Sequence, residues 1–364
     1  MKELLLIPGP TPVSRDVLKA LSQNTISPAD DRFVEVFIKA LNKMKLFFGT
    51  RDGQIFIIAG SGTLGMEMSL TNILEENENL LVVSHGYFGD RFVEIGETLG
   101  LNVDVLKSKA GMHIDSSFLT DYLTKKKYKA VTFTHVDTST GVMTNMEEMS
   151  KIIKEVSPDT LIVLDGVCAT GGVPEKMDEW GVDVLFTGSQ KAIAVPPGLT
   201  MLAFSARAIS TRKKMKKMKT YYGDILRWMP VMENPHKYFA APAVNMIFAL
   251  GKSLDDILEQ GLDKYYEKHR MLARLARPPM KTFGFKNLAA ADIAAPTLSV
   301  FIYPPGIDDA GFRSLLKEKG ITVAGAIGEL KGKCFRMGHM GSVTEEDILQ
   351  ALKIIEQVIK EKYM

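Results

Sequence analysis

Four groups of residues along the 364-residue chain have the types and spacing to do chemistry. The first is Gly60-Ser61-Gly62-Thr63-Leu64-Gly65, which follows an apolar run and opens a helical one. Backbone N–H groups at a helix start bind phosphate, and the helix dipole favours the negative charge. Glycines let a ligand approach the backbone, and the Ser61 and Thr63 hydroxyls add hydrogen bonds. A tight strand–helix turn is the plainer account of the same residues. The second is Asp165, which ends the run Leu161-Ile162-Val163-Leu164. A carboxylate there is costly to bury without a cationic partner, and a protonated pyridine nitrogen is one such partner. A helix cap or an internal ion pair also accounts for it. The third is Lys191, in Gly188-Ser189-Gln190-Lys191-Ala192, ahead of Val195-Pro196-Pro197-Gly198. Left in water it is an ordinary lysine; held in an apolar or cationic place its amine becomes a nucleophile toward aldehydes. The fourth is Arg336, inside the apolar run Phe335-Arg336-Met337-Gly338. Its planar fork suits a carboxylate, from a substrate or from an internal acid.

The elements that position these residues alternate. Apolar runs at 54–59, 80–84, 102–106, 130–135, 161–165, 184–189 and 199–205 are expected strands. Helical patterns at 64–74, 90–99 and 146–156 lie between some of them. Continuous apolar strands separated by helices argue a mostly parallel sheet covered on both faces. Asp165 and Lys191 then reach the same sheet edge, where ligands of such sheets bind. Upstream, Pro8-Gly9-Pro10-Thr11-Pro12 forbids a helix, so residues 1–15 read as an extended arm. Helices are expected at 14–21 and at 31–48, the latter closed by Gly49. After about residue 260 the pattern becomes a smaller α/β unit. It has helices at 263–275, 310–319 and 344–360 and strands at 297–303 and 333–337. The expected division is therefore an arm at 1–15, a large domain at 16–260 and a small domain at 261–364.

Bulk composition excludes several classes. The formal net charge is +2, so nothing draws the whole chain to nucleic acid or anionic membrane. No stretch reaches the ~20 apolar residues of a membrane span, and the apolar run Leu4–Ile7 is too short for a signal peptide. A cytoplasmic location is expected. The two cysteines, Cys168 and Cys334, form no CxxC pair and read as structural thiols in a reducing compartment, with no metal site. Residues 60–65 also spell GxGxxG, but the next strand ends in Ser84-His85-Gly86. A dinucleotide site needs an acid there. The cluster Arg212, Lys213, Lys214, Lys216, Lys217 and Lys219 reads as a solvated surface helix.

Taken together, these residues are similar to the class V aminotransferases, in particular the alanine–glyoxylate and serine–pyruvate group. The similarity spans nearly the whole chain. It rests on Pro8-Gly9-Pro10-Thr11, Gly60-Ser61-Gly62-Thr63, His85-Gly86-Tyr87-Phe88-Gly89-Asp90-Arg91 and Thr138-Ser139-Thr140-Gly141-Val142. It continues in Asp165-Gly166-Val167, Ser189-Gln190-Lys191-Ala192, Pro196-Pro197-Gly198 and Phe335-Arg336-Met337-Gly338. The Ser-Gln-Lys-Ala…Pro-Pro-Gly run is its most specific part.

The resemblance implies pyridoxal phosphate (PLP) as cofactor and fold type I, a large domain on a seven-stranded sheet plus a small C-terminal α/β domain. It implies a homodimer with shared active sites. By position, Lys191 carries PLP as a Schiff base, Asp165 pairs with the ring nitrogen, and Val167 and Phe88 pack on the ring. Thr138 lies near the ring hydroxyl, and Ser61, Gly62, Thr63 and Gln190 hold the phosphate. Tyr238 reaches that phosphate from the partner subunit. Arg336 grips the substrate carboxylate, and the backbone at Gly9 borders the substrate. Two departures stand out: Ala241 replaces a hydroxyl residue that often adds a phosphate contact, and Asp137 stands where glutamate is usual.

The implied reaction moves an amino group from a small amino acid, alanine or serine, to the 2-oxo acids glyoxylate or pyruvate, with ping-pong kinetics. A 2-aminoethylphosphonate–pyruvate aminotransferase shares the Pro-Gly-Pro opening but usually lacks the Ser-Gln-Lys-Ala…Pro-Pro-Gly form. A cysteine desulfurase needs a mobile cysteine, and Cys334 sits inside a strand. A nicotinamide-dependent oxidoreductase lacks its acid. A non-catalytic scaffold would be expected to have lost Lys191 or Asp165.

Overall fold

The computed structural model describes residues 3–363. Its centre is a seven-stranded sheet. In order across it stand Gln54–Ala59, Leu199–Phe204, Val184–Gly188, Leu161–Asp165, Ala130–Thr134, Asn79–Ser84 and Asn102–Lys107. Leu199–Phe204 runs antiparallel to both its neighbours, and the remaining pairs are parallel. The inner strands are buried along their whole length, as a sheet covered on both faces requires.

The covering helices have readable causes. Asp30 caps the helix Asp31–Phe48 by accepting from Arg32 N at 2.9 Å, and Gly49 ends it in the left-handed region. Val244–Gln260, which the sequence reading passed over, lies along it. A Cβ on Gly251 would stand 2.9 Å from Val36 Cγ1, so this glycine lets the two helices approach. The helices Ser116–Lys125 and Ile225–Glu233 were likewise not anticipated.

Two other expectations shift for physical reasons. The helix expected from Asp90 starts at Tyr87. Its first N–H groups are satisfied from a distance: Tyr87 N donates to Ser139 Oγ at 2.9 Å, and Phe88 N and Gly89 N donate to Asp137 Oδ2 at 3.0 and 3.2 Å. Local sequence cannot show such a cap. The helix expected to end near Leu275 runs from Leu262 to Thr282, through Pro278 and Pro279. Ala276 and Met280 are buried in the C-terminal core, so packing on that face outweighs the two missing donors.

The basic cluster is corrected. The helix Ala206–Lys214 stops before Lys216, Lys217 and Lys219, which are not helical. Arg212 is buried rather than solvated, and grips Asp224 with Nε and Nη2 at 3.0 and 2.9 Å.

Beyond residue 270 a second apolar cluster forms around Phe285, Phe301, Phe312 and Phe335. It is built on a four-stranded antiparallel sheet, Lys286–Asn287, Leu298–Ile302, Cys334–Gly338 and Ala324–Gly325. Leu4 and Leu6 belong to this cluster, and Leu4–Leu5 pairs with Ile321–Thr322. The N-terminal segment thus crosses from the C-terminal unit toward the large sheet's edge. Thr344 and Asp347 form a capping box at the start of Glu345–Lys362.

Candidate active site

The site lies at the edge where Leu161–Asp165 and Val184–Gly188 end. Asp165 finishes its strand fully buried. Its Oδ1 accepts from Val167 N at 2.8 Å, and its carbonyl accepts from His135 N at 2.9 Å. Among the described residues no ion pair is made to its carboxylate. Burial, the largest cause, pushes its pKa up to about 7, and the charges of Asp137 and Glu175 add to the rise.

Beneath this turn sits a polar unit the sequence reading missed. Glu175 accepts from Thr170 Oγ1 at 2.6 Å and lies 2.9 Å from His135 Nδ1. A Cβ on Gly166 would stand 2.7 Å from Glu175 Oε1, so the Asp165-Gly166-Val167 turn rests on that carboxylate. Only the fold brings these residues together.

Lys191 follows its strand in a loop braced by Ser189, whose Oγ donates to the Pro196 carbonyl at 2.7 Å. The Lys191 amine is buried and donates to the Pro8 carbonyl at 2.5 Å. Thr11 clamps the same stretch, donating from N to the Gln190 carbonyl and from Oγ1 to the Lys191 carbonyl at 3.0 and 2.8 Å. Gly9 has φ +128°, and a Cβ there would lie 2.6 Å from Lys191 Nζ. The opening arm therefore closes over the lysine, and glycine is required where it does. Desolvation lowers the Lys191 pKa, with Arg336 adding to the fall.

Arg336 projects from the strand Cys334–Gly338. Its Nε donates to the Gly325 carbonyl at 2.9 Å and its Nη1 to the Thr138 carbonyl at 3.3 Å. No carboxylate among the described residues pairs with it, and desolvation lowers its pKa. The internal salt bridge left open by the sequence is not there. Thr138 is buried beside it, after Asp137, whose carboxylate takes four hydrogen bonds from Phe88 N, Gly89 N, Ser139 N and Ser139 Oγ.

The opposite end is more open. Ser61 precedes the helix Gly62–Thr71 without capping it, and both Ser61 and Thr63 are exposed. A Cβ on Gly62 would stand 2.9 Å from Val167 Cγ2, so this helix start abuts the residue that follows the Asp165 turn. Arg91 donates to Thr63 Oγ1 at 3.2 Å and lies over the half-buried Phe88 ring at 4.9 Å. The Gln190 amide oxygen is buried without a partner. Tyr238 stands apart, 72% exposed and without a hydrogen bond among the described residues.

The structure thus brings together Gly9, Thr138, Asp165, Val167, Gln190, Lys191 and Arg336, with Ser61, Gly62, Thr63 and Phe88 at the adjoining helix starts. Both thiols are buried and pushed up to about 11 by desolvation, the opposite of an activated nucleophile. Among the described residues no cluster suits a metal ion, and no helix is long and apolar enough to cross a membrane.

A buried lysine and a strand-end aspartate at one edge of the mostly parallel sheet meet an arginine without a carboxylate partner from the C-terminal antiparallel sheet, an arrangement suited to amino-acid chemistry. The family model described as aminotransferase class-V matches residues 9–339. The chain belongs to the class V aminotransferases. It is 35% identical to alanine–glyoxylate aminotransferase 1 of Saccharomyces cerevisiae, over 98% of this chain and 97% of that one. It is 27% identical to the serine–glyoxylate aminotransferase of Arabidopsis thaliana, over 98% and 90%. The crystal structure of an alanine–glyoxylate aminotransferase from Nostoc superposes with a TM-score of 0.94 at 27% identity, covering 99% of this chain and 96% of that one. The sequence's expectation of fold type I on a mostly parallel seven-stranded sheet is met.

Proposed function

We propose that this chain is a PLP-dependent aminotransferase that moves an amino group from alanine or serine to glyoxylate or pyruvate, by ping-pong kinetics. The observation that carries the reading is the buried Lys191 amine, within electrostatic reach of both Asp165 and Arg336. The residues present fit the cofactor. Asp165 is a buried carboxylate that makes no ion pair among the described residues, Gln190 has an unpartnered buried oxygen, and the helix start at Gly62 has no side-chain cap. Asp165 would pair with the ring nitrogen, Val167 and Phe88 would flank the ring, and Thr138 would lie near its hydroxyl. Ser61, Gly62, Thr63 and Gln190 would hold the phosphate.

When bound, PLP supplies an electron sink for negative charge developing at the substrate α-carbon. The chain's own residues do the rest. Arg336 orients the substrate by its carboxylate, with Gly9 at the pocket's border. Lys191 would anchor the cofactor, and its free amine would take the substrate α-proton and give it back. Its lowered pKa favours the neutral amine that this task needs. Asp165 would keep a proton on the ring nitrogen, and the arm at Pro8-Gly9 covers the Lys191 amine. Small donors and acceptors are supported by the alanine- and serine-using relatives. A homodimer with shared sites, in which Tyr238 reaches the partner's phosphate, is supported by that residue's exposure. A cytoplasmic location is part of the same reading.

The test is a half-reaction. Holoenzyme given L-alanine or L-serine alone is expected to lose its visible cofactor absorbance and release keto acid; glyoxylate or pyruvate then restores the absorbance. Arg336→Gln is expected to raise KM for the amino acid about tenfold or more, with a smaller change in kcat. Holoenzyme that transfers no amino group from either donor to either acceptor overturns the reading.

A further inference from the structure

A cavity of about 660 Å³ lies between the helix Leu262–Thr282 and the segment after Ala130–Thr134, and borders the support of the Asp165 turn through His135. Neither Lys191 nor Arg336 lines it. Its walls are largely apolar, with Met143, Met146, Met149, Val173, Trp180 and Ile293 among them. Along one side run Arg270, Arg274 and Arg277, spaced to share a helix face.

These three arginines differ. Arg270 and Arg274 are exposed and both pair with Glu267. Arg277 is half-buried and has no carboxylate partner among the described residues. Its Nε donates to Ser299 Oγ at 2.9 Å, and its Nη2 to the Ala295 and Leu298 carbonyls at 2.5 and 3.1 Å. These bonds hold the guanidinium in place, and among the described residues Nη1 makes no hydrogen bond. Glu147, Glu148 and Asp292 also line it, but they are exposed and none pairs with Arg277.

Arg336 has the same arrangement: a desolvated guanidinium tied to backbone carbonyls, with no counter-charge. Desolvation alone pushes the Arg277 pKa down to about 10, so no neighbouring charge offsets its burial. Stripping water from a cation without pairing it is costly, and an incoming anion removes the cost. The apolar walls suit a ligand whose other end is apolar.

We propose that this cavity is a second binding site, for a small organic carboxylate with an apolar body, held by Arg277 and packed against the Met and Trp180 wall. Neither Lys191 nor Arg336 lines it, and it does not depend on which amino acid the amino-transfer site uses.

Phenylacetate is the probe, because it has the carboxylate and an apolar ring but no amino or keto group to react. Binding is measured by equilibrium dialysis on Arg336→Gln holoenzyme, which removes the clamp of the first site. The expected result is saturable binding of one phenylacetate per chain. Adding Arg277→Gln is expected to weaken it at least about tenfold, as loss of a charged hydrogen-bonding partner does. Arg277→Lys is expected to keep part of it. Ala294→Phe, which fills the cavity from its lining and leaves Arg277 intact, is expected to abolish it and guards against a misfolded Arg277 variant. Sulfate at equal concentration is expected to displace little. No binding in the Arg336→Gln background overturns the proposal, as does binding that survives both Arg277→Gln and Ala294→Phe. Equal displacement by sulfate overturns the apolar-body assignment.

Discussion

The two ends of the active site are built differently. At the end proposed to hold the cofactor ring, Asp165, Lys191, Thr138 and Arg336 are buried or half-buried, and each is held by hydrogen bonds from its own chain. At the end proposed to hold the phosphate, Ser61 and Thr63 are exposed and the helix start lacks a side-chain cap, and Tyr238, proposed to serve the partner's site, stands apart in solvent. Reacting groups must be oriented to within fractions of an ångström, so they gain from a rigid, dry setting. A phosphate needs only donors and positive potential, which a second surface can complete. On the proposed roles, a single chain finishes the end that reacts and leaves open the end that holds. The proposed homodimer accounts for that asymmetry.

The sharpest division between the two ends comes from Lys191→Ala. With the phosphate end untouched, the variant is expected to retain bound PLP while kcat for alanine and glyoxylate falls by at least about 10⁴-fold, since both the anchor and the proton carrier are gone. Steady-state rates alongside cofactor content measured after gel filtration check this. A loss under tenfold would mean that chemistry is not concentrated at the ring end, and the comparison would fail.

The next effect concerns the charge at Asp165. Burial pushes its carboxyl pKa up to about 7 in the folded chain, against about 3.9 for an unfolded aspartate. Between those values the folded state holds a proton that the unfolded state has lost. Stability therefore falls as pH rises from about 4 through 7, by up to about 4 kcal/mol. Urea midpoints of the apoprotein at pH 5 and pH 8 are expected to show this decline, and Asp165→Asn is expected to remove it. A protonated ring nitrogen beside Asp165 supplies the missing cation, so holoenzyme is expected to lose the decline as well. Equal slopes in native and variant apoprotein would place the strain elsewhere.

The same contrast explains what was legible in the sequence. Strands such as Leu161–Asp165 and the helix Asp31–Phe48 stand out because burial and caps leave local marks: an unbroken apolar run, an Asp before the helix and a Gly after it. Asp165 and Arg336 stand out as charges at or within apolar runs, whereas Lys191, just past a strand end, stands out through the Ser-Gln-Lys-Ala…Pro-Pro-Gly run. The helix Val244–Gln260 carries an apolar stripe, yet Gly251 interrupts it for the sake of a neighbour 215 residues earlier in the chain, and the pattern was passed over. The support beneath Asp165 was not legible at all. His135, Thr170 and Glu175 look ordinary until the sheet edge gathers them. The early start of the helix at Tyr87 has the same origin, a cap supplied by Asp137 from another strand's end.

The smallest expected effects lie at the open end. Tyr238→Phe removes one hydroxyl aimed, in the proposed dimer, at the partner's phosphate, and is expected to weaken PLP binding about tenfold, as loss of a hydrogen bond to a charged group does. Ala241→Thr runs the other way. Ala241 is exposed, three residues from Tyr238, and its methyl offers the phosphate nothing. A threonine hydroxyl there can donate one more hydrogen bond, worth about 1 kcal/mol net, or about fivefold in affinity. PLP dissociation constants measured by fluorescence titration of apoprotein are expected to order as Ala241→Thr tighter than native, and native tighter than Tyr238→Phe, with kcat at saturating PLP nearly unchanged in all three. The ordering should hold only at concentrations where the chains associate. A shift that persists in dilute monomer would put Tyr238 and residue 241 on their own chain's phosphate, and the open end would then be closed by loop movement rather than by a second subunit.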